Sequence, residues 1–250
     1  MYRQKEIIQL DETIKDGKVA ICSDIHFPFQ DDSAVNAFLY YCRINKPTHI
    51  ILAGDVIDCY KLSRFTKGEG RNPYEEIKIC RKFLEQLRKE NEAAKIYYII
   101  GNHETRLQTY VLSKAPELAC LIEDIFSIIK VEDFKIRGCS ELLINNDFVV
   151  THGKLLGNKA GLSAIKEIEK HYMSGASGHC HKIAHFITRK AGRKFEWFET
   201  GCLCDLNPEY TQDPDWTQGF VILNYHKGVR SGRFIEIEKG KILDWWMWMI

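Results

Sequence analysis

Three short apolar runs, at residues 18–24, 49–53 and 95–100, each end in a polar cluster: Asp24-Ile25-His26, Gly54-Asp55 and Gly101-Asn102-His103. Runs this short and this uniformly apolar read as strands buried on both faces, as in a parallel sheet covered by helices. Between the first two, Asp31-Asp32-Ser33 reads as a helix start, and Val35, Phe38, Leu39 and Cys42 recur at helical spacing until Pro47. Between the second and third, a charged segment of helical period predicts a helix over 74–92. The order is strand, helix, strand, helix, strand. Chemistry-bearing residues lie at the carboxyl end of each strand, where open α/β sheets place their sites.

Residues 105–129 read as helical with a break at Ala115-Pro116, and lie over the site or beside it. The pattern then changes to short strands. Runs at 141–145 and 147–151 flank Asn145-Asn146, a tight hairpin turn, and the second leads into Thr151-His152-Gly153. A helix over 161–172 precedes Gly178-His179-Cys180-His181. Beyond it, runs at 183–189, 194–200, 219–225 and 233–238, separated by turns such as Ala191-Gly192-Arg193 and Lys227-Gly228, predict a second sheet. The two halves are expected to pack sheet on sheet, with helices outside and the motif-bearing loops along one edge. At 250 residues, with no Pro/Gly/Ser-rich linker, internal repeat or low-complexity segment, the chain 1–250 reads as one domain.

Charge and cysteine usage narrow the setting. With 35 basic and 34 acidic residues the net charge is +1, which excludes a protein whose whole surface is an anion-binding field. The nine cysteines are odd in number, and Met1-Tyr2-Arg3-Gln4-Lys5-Glu6 has no apolar core of signal-peptide length. Both facts point to a reducing cytoplasm. Cys22, Cys80 and Cys120 sit in apolar runs, where a thiol acts as a small hydrophobe. No run approaches the roughly 18 apolar residues that a membrane span needs, so no membrane partner is expected.

The polar clusters carry metal chemistry. An Asp-x-His pair at a strand end sets a carboxylate and an imidazole two residues apart, close enough to chelate one cation if the chain bends there. In Gly54-Asp55 the glycine lets the backbone turn tightly, and the two carboxylate oxygens can bridge two cations. Asn102 adds an amide oxygen, and His152, His179 and His181 add three imidazoles. A mixed nitrogen and oxygen set with no necessary thiolate disfavours a structural cysteine–zinc site and suits Mn²⁺, Fe or Zn²⁺ in catalytic positions. Each motif alone has an ordinary reading as a turn or a partly buried histidine. Their conjunction at successive strand ends does not.

In order, Asp24-Ile25-His26, Gly54-Asp55-Val56-Ile57-Asp58, Gly101-Asn102-His103-Glu104, Thr151-His152-Gly153 and Gly178-His179-Cys180-His181 resemble the motifs of the calcineurin-like metallophosphoesterase superfamily. The compact form resembles its phage and bacterial single-domain members. The resemblance implies an α/β fold, a four-layer α-β-β-α sandwich of two mixed β-sheets with flanking helices and a two-metal centre at the sheet edge. It implies Asp24, His26, Asp55 and His181 on one divalent ion and Asp55, Asn102, His152 and His179 on the other, with Asp55 as the bridge. Mn²⁺ is the first choice of metal, ahead of Fe and Zn²⁺. His103 matches the histidine that protonates the leaving oxygen or stabilises the phosphoryl transition state, and Asp58 the carboxylate that orients it. Two such ions, roughly 3.5–4 Å apart, generate the attacking hydroxide and neutralise phosphoryl charge, with no covalent protein intermediate.

The serine/threonine protein phosphatases of the superfamily carry an arginine directly after the second Asp of G-D-x-x-D and usually another before G-N-H-E. Here those positions are Cys59 and Ile100, so they supply no bidentate guanidinium contact to a dianionic phosphomonoester. Arg106 and Arg64 are the candidate replacements. Three basic clusters read either as a track for a nucleic-acid backbone or as solvated loops: Lys61, Arg64, Lys67 and Arg71; Arg189, Lys190, Arg193 and Lys194; and Lys227, Arg230 and Arg233. The reading is a phosphodiesterase or nuclease acting on DNA, RNA or a nucleotide. The alternatives are a phosphomonoesterase and a non-catalytic protein-binding scaffold, and the presence of every proposed ligand and of His103 weighs against the scaffold.

Other residues carry less. His49, His171, His185 and His226 match no motif and read as ordinary surface or core histidines, and Cys180 has no role in the match. Cys202-Leu203-Cys204 follows the last motif, yet a third metal site would lack partners there, so packing is expected. The aromatic tail from Asp244 to Ile250, with Trp245, Trp246 and Trp248, reads as packing on the second sheet or a contact between copies in a homo-oligomer ahead of a protein-interaction or base-stacking surface.

Overall fold

The computed structural model describes residues 7–10, 13–63, 72–208 and 214–243. Two strands, β1 (Ile7–Gln9) and β2 (Gly17–Cys22), precede the first motif. Helix α1 (Asp32–Asn45) is capped by Asp31, whose carboxylate accepts hydrogen bonds from the Ser33 and Ala34 N–H groups. β3 (His49–Leu52), α2 (Pro73–Glu90) and β4 (Lys95–Ile99) complete the two parallel crossovers that the apolar runs predict. In β2, Val19 and Ile21 face one core while Ala20 and Cys22 face another, and all four are buried. Burial on both faces is why the run is continuously apolar rather than alternating.

The next segment breaks at Ala115-Pro116 as predicted, into α3 (Arg106–Lys114), a 3₁₀ turn (Pro116–Leu121) and α4 (Ile125–Ile129). Neither α3 nor the turn buries a side chain, so the apolar residues there cover no core. Cys120 is consequently exposed, which corrects its reading as a small buried hydrophobe.

The remaining elements are β5 (Ile136–Cys139), β6 (Glu141–Ile144), β7 (Phe148–Thr151), α5 (Leu162–His171), β8 (Ser174–Ser177), β9 (Ile183–Lys190), β10 (Arg193–Thr200), β11 (Gly219–His226), β12 (Val229–Glu238) and β13 (Lys241–Leu243). Asn145 and Asn146 both take positive φ, 51° and 59°, and close the β6–β7 hairpin.

One sheet runs β13-β12-β11-β2-β3-β4-β5 and the other β1-β6-β7-β8-β10-β9. This corrects the expectation that the second half forms a sheet of its own, because β11 pairs antiparallel with β2 and carries β12 and β13 into the first sheet. β2 ends the parallel unit, and β11 satisfies its unpaired backbone groups. Periodicity shows which face of a strand is buried and not which neighbour it takes.

Three cores separate the layers. Val19, Ile21, Ile51, Leu142, Phe148, Phe198 and Leu223 meet between the sheets. Phe38, Leu52, Leu84 and Tyr98 belong to the core of the first sheet's outer face, with α1, α2 and α4. Val149, Ala164, Ile168 and Trp197 pack beneath α5 on the outer face of the second. The result is the four-layer α-β-β-α sandwich of two mixed sheets, and the motif loops lie together at one edge. No described helix is long and apolar enough to cross a membrane. The aromatic tail lies outside the described residues.

Candidate metal centre

Five of the proposed ligands stand on left-handed backbone: Asp24 (φ 54°), His26 (56°), Asp55 (52°), His179 (69°) and His181 (56°). Non-glycine residues held in this region cost on the order of 1–3 kcal/mol each and persist where the surroundings over-determine them, which is why they gather at functional sites. Here the surroundings are the neighbouring loops. The N–H groups of Asp24, Ile25 and His26 donate to the carbonyls of Gly54, Asp55 and Asp55 at 3.0, 2.9 and 2.9 Å, locking the loop after β2 to the loop after β3. Gly54 has φ 92°, and a Cβ there would lie 2.5 Å from His152 Nδ1, so no other residue fits.

Glu104 ties in the third loop. Its buried carboxylate accepts hydrogen bonds from the N–H groups of Asp55 (2.9 Å), Val56 (2.8 Å), Ile57 (3.3 Å) and Gly101 (2.7 Å) and from Tyr98 Oη (2.7 Å). Sequence reasoning placed Glu104 in the motif without a role. No sequence signal marks its role, because three of the N–H groups it satisfies, at residues 55–57, belong to another loop.

The proposed ligands fall into two groups, and a further cluster of His26, Asp55 and His103 overlaps both. Asp24, His26 and His181 make one, with His181 Nε2 3.1 Å and His26 Nε2 3.7 Å from Asp24 Oδ1. Asp55, His152 and His179 make the other, with His152 Nε2 3.2 Å from Asp55 Oδ2 and 3.0 Å from Asn102 Oδ1. Asp55 Oδ2 also stands 3.9 Å from His26 Nε2, between the two groups. His152 Nδ1 donates to the Ala53 carbonyl at 2.9 Å, which fixes its tautomer and leaves Nε2 facing the cluster. Asp24 Oδ2 accepts from the His179 N–H at 2.9 Å and from Ser23 Oγ, which in turn meets Thr200 Oγ1 at 2.6 Å.

Asp58 holds two histidines rather than one. Its Oδ2 lies 3.0 Å from His26 Nδ1 and 3.2 Å from His103 Nδ1. Arg106 completes this side, with Nη1 donating to Asp58 Oδ1 (2.9 Å) and to its carbonyl (2.8 Å), and Nη2 2.7 Å from His103 Nε2. Arg64, Lys67 and Arg71 lie outside the described residues.

Burial alone would raise the carboxyls, but the charges of His181 on Asp24, and of His152 and His103 on Asp55, outweigh it and hold both well below the usual range. Burial works against protonation of His152, yet Asp55 lifts its pKa to about 9; His26 is likewise raised, by Asp24 and Asp58 against burial. Burial lowers His103 and His179. A cation bound here would displace the imidazole protons and meet the ionised carboxylates, as metal ligation requires. Asp24 Oδ1 agrees: it is buried with no hydrogen-bond partner, although two imidazole nitrogens face it. The donor set, carboxylate, amide and imidazole, fits divalent metals.

The sequence profile described as calcineurin-like phosphoesterase matches residues 17–216. The chain belongs to the calcineurin-like phosphoesterase family. It is therefore a metal-dependent hydrolase of phosphate esters. This phosphoesterase is similar to the gene 54 protein of Mycobacterium phage L5, 26% identical over 226 residues with 82% of this chain and 88% of that protein covered. Among solved structures it is similar to zinc-complexed Vps29 of Entamoeba histolytica (11% identical, TM-score 0.49, covering 90% of this chain and 95% of that one). It is also similar to the nuclease MPE of Pseudomonas putida (13% identical, TM-score 0.39, covering 90% and 85%).

Beside the second group of this phosphoesterase opens a cavity of about 470 Å³, whose lining includes Asn102, Gln108, Phe126, Glu141, His152 and His179. Thr105 and Gln108 make α3 one of its walls, so the segment after motif three packs beside the site. The basic hairpins do not reach it. β9 leaves the site at Ile183 and β10 returns to it at Thr200, so Arg189, Lys190, Arg193 and Lys194 sit at the far tip. Eight-residue strands at about 3.3 Å per residue put that tip on the order of 20 Å away. Lys227 and Arg230 are equally remote, since Tyr225 pairs with Gly17 at the start of β2, and Arg230 is bound to Asp147 and Glu196.

Proposed function

We propose that this chain is a single-domain phosphodiesterase acting on nucleic acid or nucleotides in the cytoplasm. Its two divalent cations, Mn²⁺ first, are held by Asp24, His26, Asp55 and His181 and by Asp55, Asn102, His152 and His179. The observation that carries the metal reading is Asp55 Oδ2, one carboxylate oxygen at 3.2 Å from His152 Nε2 and 3.9 Å from His26 Nε2. The domain reading is supported by β11, which lies beyond the family match yet pairs with β2 inside the first sheet. None of the nine cysteines is in a disulfide, in keeping with a reducing compartment.

When bound, such a cation pair acidifies a water and neutralises charge on the phosphoryl oxygens. The protein's own groups do the rest. The Asp58 carbonyl accepts the Nδ1 proton of His103 at 3.1 Å, with the carboxylate 3.2 Å away, which turns Nε2 toward Asp55 and Arg106. In this arrangement Nε2 accepts from Arg106 and carries no proton; a proton taken up there from solvent would make His103 the acid for the leaving oxygen, with Arg106 still held by Asp58. Gly54 and Glu104 keep the Asp55 loop in place.

Two features favour a diester. The positions that carry arginine in the protein phosphatases are Cys59, buried at φ 53°, and Ile100, packed against the outer core, while Arg106 is already bonded to Asp58 and His103. A dianionic monoester therefore meets no free guanidinium fork from these positions. The 470 Å³ cavity offers room for a second ester arm. The Mn²⁺-loaded protein should cleave bis-p-nitrophenyl phosphate and DNA faster than p-nitrophenyl phosphate. Exclusive monoester cleavage would reverse the substrate assignment.

A further inference from the structure

Cys202 and Cys204, read from sequence as packing residues without metal partners, have one. Both are almost fully buried, and their sulfurs lie with a His181 nitrogen inside a common 4.8 Å limit. The nitrogen is on the far side of the ring from the cation cluster: Nε2 faces Asp24 Oδ1 at 3.1 Å, while Nδ1 faces Cys204 Sγ at 3.9 Å. The chain bends at Leu203, whose side chain turns into the outer core, and the two thiols come together on the His181 side.

The frame around them is rigid. The Cys202 N–H donates to the Thr217 carbonyl at 3.1 Å and the Leu203 N–H to the Asp24 carbonyl at 3.0 Å, while Gln218 Nε2 donates to the Cys204 carbonyl at 2.9 Å. Trp216 packs edge-on against the His181 ring at 4.2 Å, on the loop that carries Thr217. A preorganised cluster of two sulfurs and one imidazole nitrogen is a ligand set for soft or borderline d¹⁰ cations and a poor one for Mn²⁺.

We propose that Cys202, Cys204 and His181 Nδ1 form a second metal site, for a thiophilic cation of the Zn²⁺ or Cd²⁺ class, and that its occupation withdraws His181 from the cation pair. The charges suit a buried site, since one divalent cation, two thiolates and a neutral imidazole sum to zero. The protons balance as follows. Binding releases the two thiol protons to solvent and leaves the one proton of the neutral imidazole on Nε2, whichever nitrogen carried it before. His181 Nε2 then becomes a donor to Asp24 Oδ1 and no longer offers a lone pair to a cation beside Asp24. A hard cation on the Asp24 side and a soft cation on the thiols thus compete for one ring. The second half of the proposal rests on His181 belonging to the cation pair; the first does not.

The test uses the full chain. Metal-free protein is titrated with Cd²⁺, following the ultraviolet thiolate-to-cadmium charge-transfer absorption, and Mn²⁺-loaded protein is titrated with Cd²⁺ while released manganese is counted. One cadmium per chain should develop the absorption and displace manganese. Cys120→Ser, which removes the exposed thiol, should behave as the parent does. Cys202→Ser/Cys204→Ser should lose the absorption while still binding manganese. No thiolate absorption in the parent protein overturns the site whatever the variants do, as does an absorption that survives the double substitution. A thiolate band with no manganese released overturns the competition alone. Manganese content far below two per chain before any cadmium is added marks failure of the cation-pair reading, because the cadmium band reports on the sulfurs alone.

Discussion

Replacing Glu104 by glutamine tests whether a buried carboxylate outside the ligand set holds the centre together. The two side chains have the same shape, so the change is electronic: one acceptor oxygen becomes an NH₂ donor. If the amide nitrogen takes the Oε2 position it faces the Asp55 and Gly101 N–H groups, and at the Oε1 position it faces the Val56 and Ile57 N–H groups. Tyr98 Oη can turn and accept, but a backbone N–H cannot. Either orientation leaves two buried donors unpaired at about 1–3 kcal/mol each. Removing the charge offsets part of this, because burial and the repulsion of Asp55 already raise the Glu104 carboxyl. We expect a net loss of about 2–4 kcal/mol in the unfolding free energy of the metal-free protein, read from urea denaturation. Tyr98→Phe removes one donor and leaves the carboxylate satisfied, so it should cost about 1 kcal/mol. A Glu104→Gln loss below that of Tyr98→Phe would refute the reasoning.

Three further outcomes follow. His103→Asn should keep its manganese content and lose about 10²–10⁴-fold in turnover on a diester, and unchanged turnover would remove His103 from the chemistry. Gly54→Ala pushes a methyl into the His152 ring and breaks its Nδ1 contact with Ala53, so manganese affinity should drop about 10–100-fold in equilibrium dialysis. Glu76 is buried, accepts from the Tyr60 N–H at 3.3 Å, and is pushed up to about 7 by burial and the Asp58 charge. A carboxyl raised in the folded state contributes its stability fully below the ordinary value of about 4.3, and that contribution is lost as pH rises through the folded value. Glu76→Gln should therefore be more stable than the parent above pH 8, on the order of 1–3 kcal/mol, and equal to it near pH 4. A constant difference across that range would show that Glu76 does not titrate between the two states.

The parts of this molecule that were legible in its sequence are those where local pattern and global structure agree. β2, β3 and β4 are buried on both faces, so their apolar runs announce both the strand and its covered position. The ligand residues follow those strands, and their short spacing reflects chain that must turn at once. β8, with the sequence Ser174-Gly175-Ala176-Ser177, went unnoticed because it has no β-branched or aromatic residue; Trp197 fills the space over Gly175 instead. β5 contains Arg137 and Gly138 and is equally silent. The exchange of β11–β13 into the first sheet depends on which strand edge is open, which periodicity does not encode. At the site, Asp58 serving both His26 and His103, and Cys204 reaching His181, join residues 32, 45 and 23 positions apart, and only the folded chain shows such pairings.

Manganese stoichiometry with electron paramagnetic resonance, on the parent chain and on Asp55→Ala, tests the central claim most directly. Two exchange-coupled Mn²⁺ per parent chain are expected, because Asp55 stands between His26 and His152. Asp55→Ala should lose the coupling and at least one ion. Two uncoupled ions in the parent, or a coupled pair that survives Asp55→Ala, would contradict it.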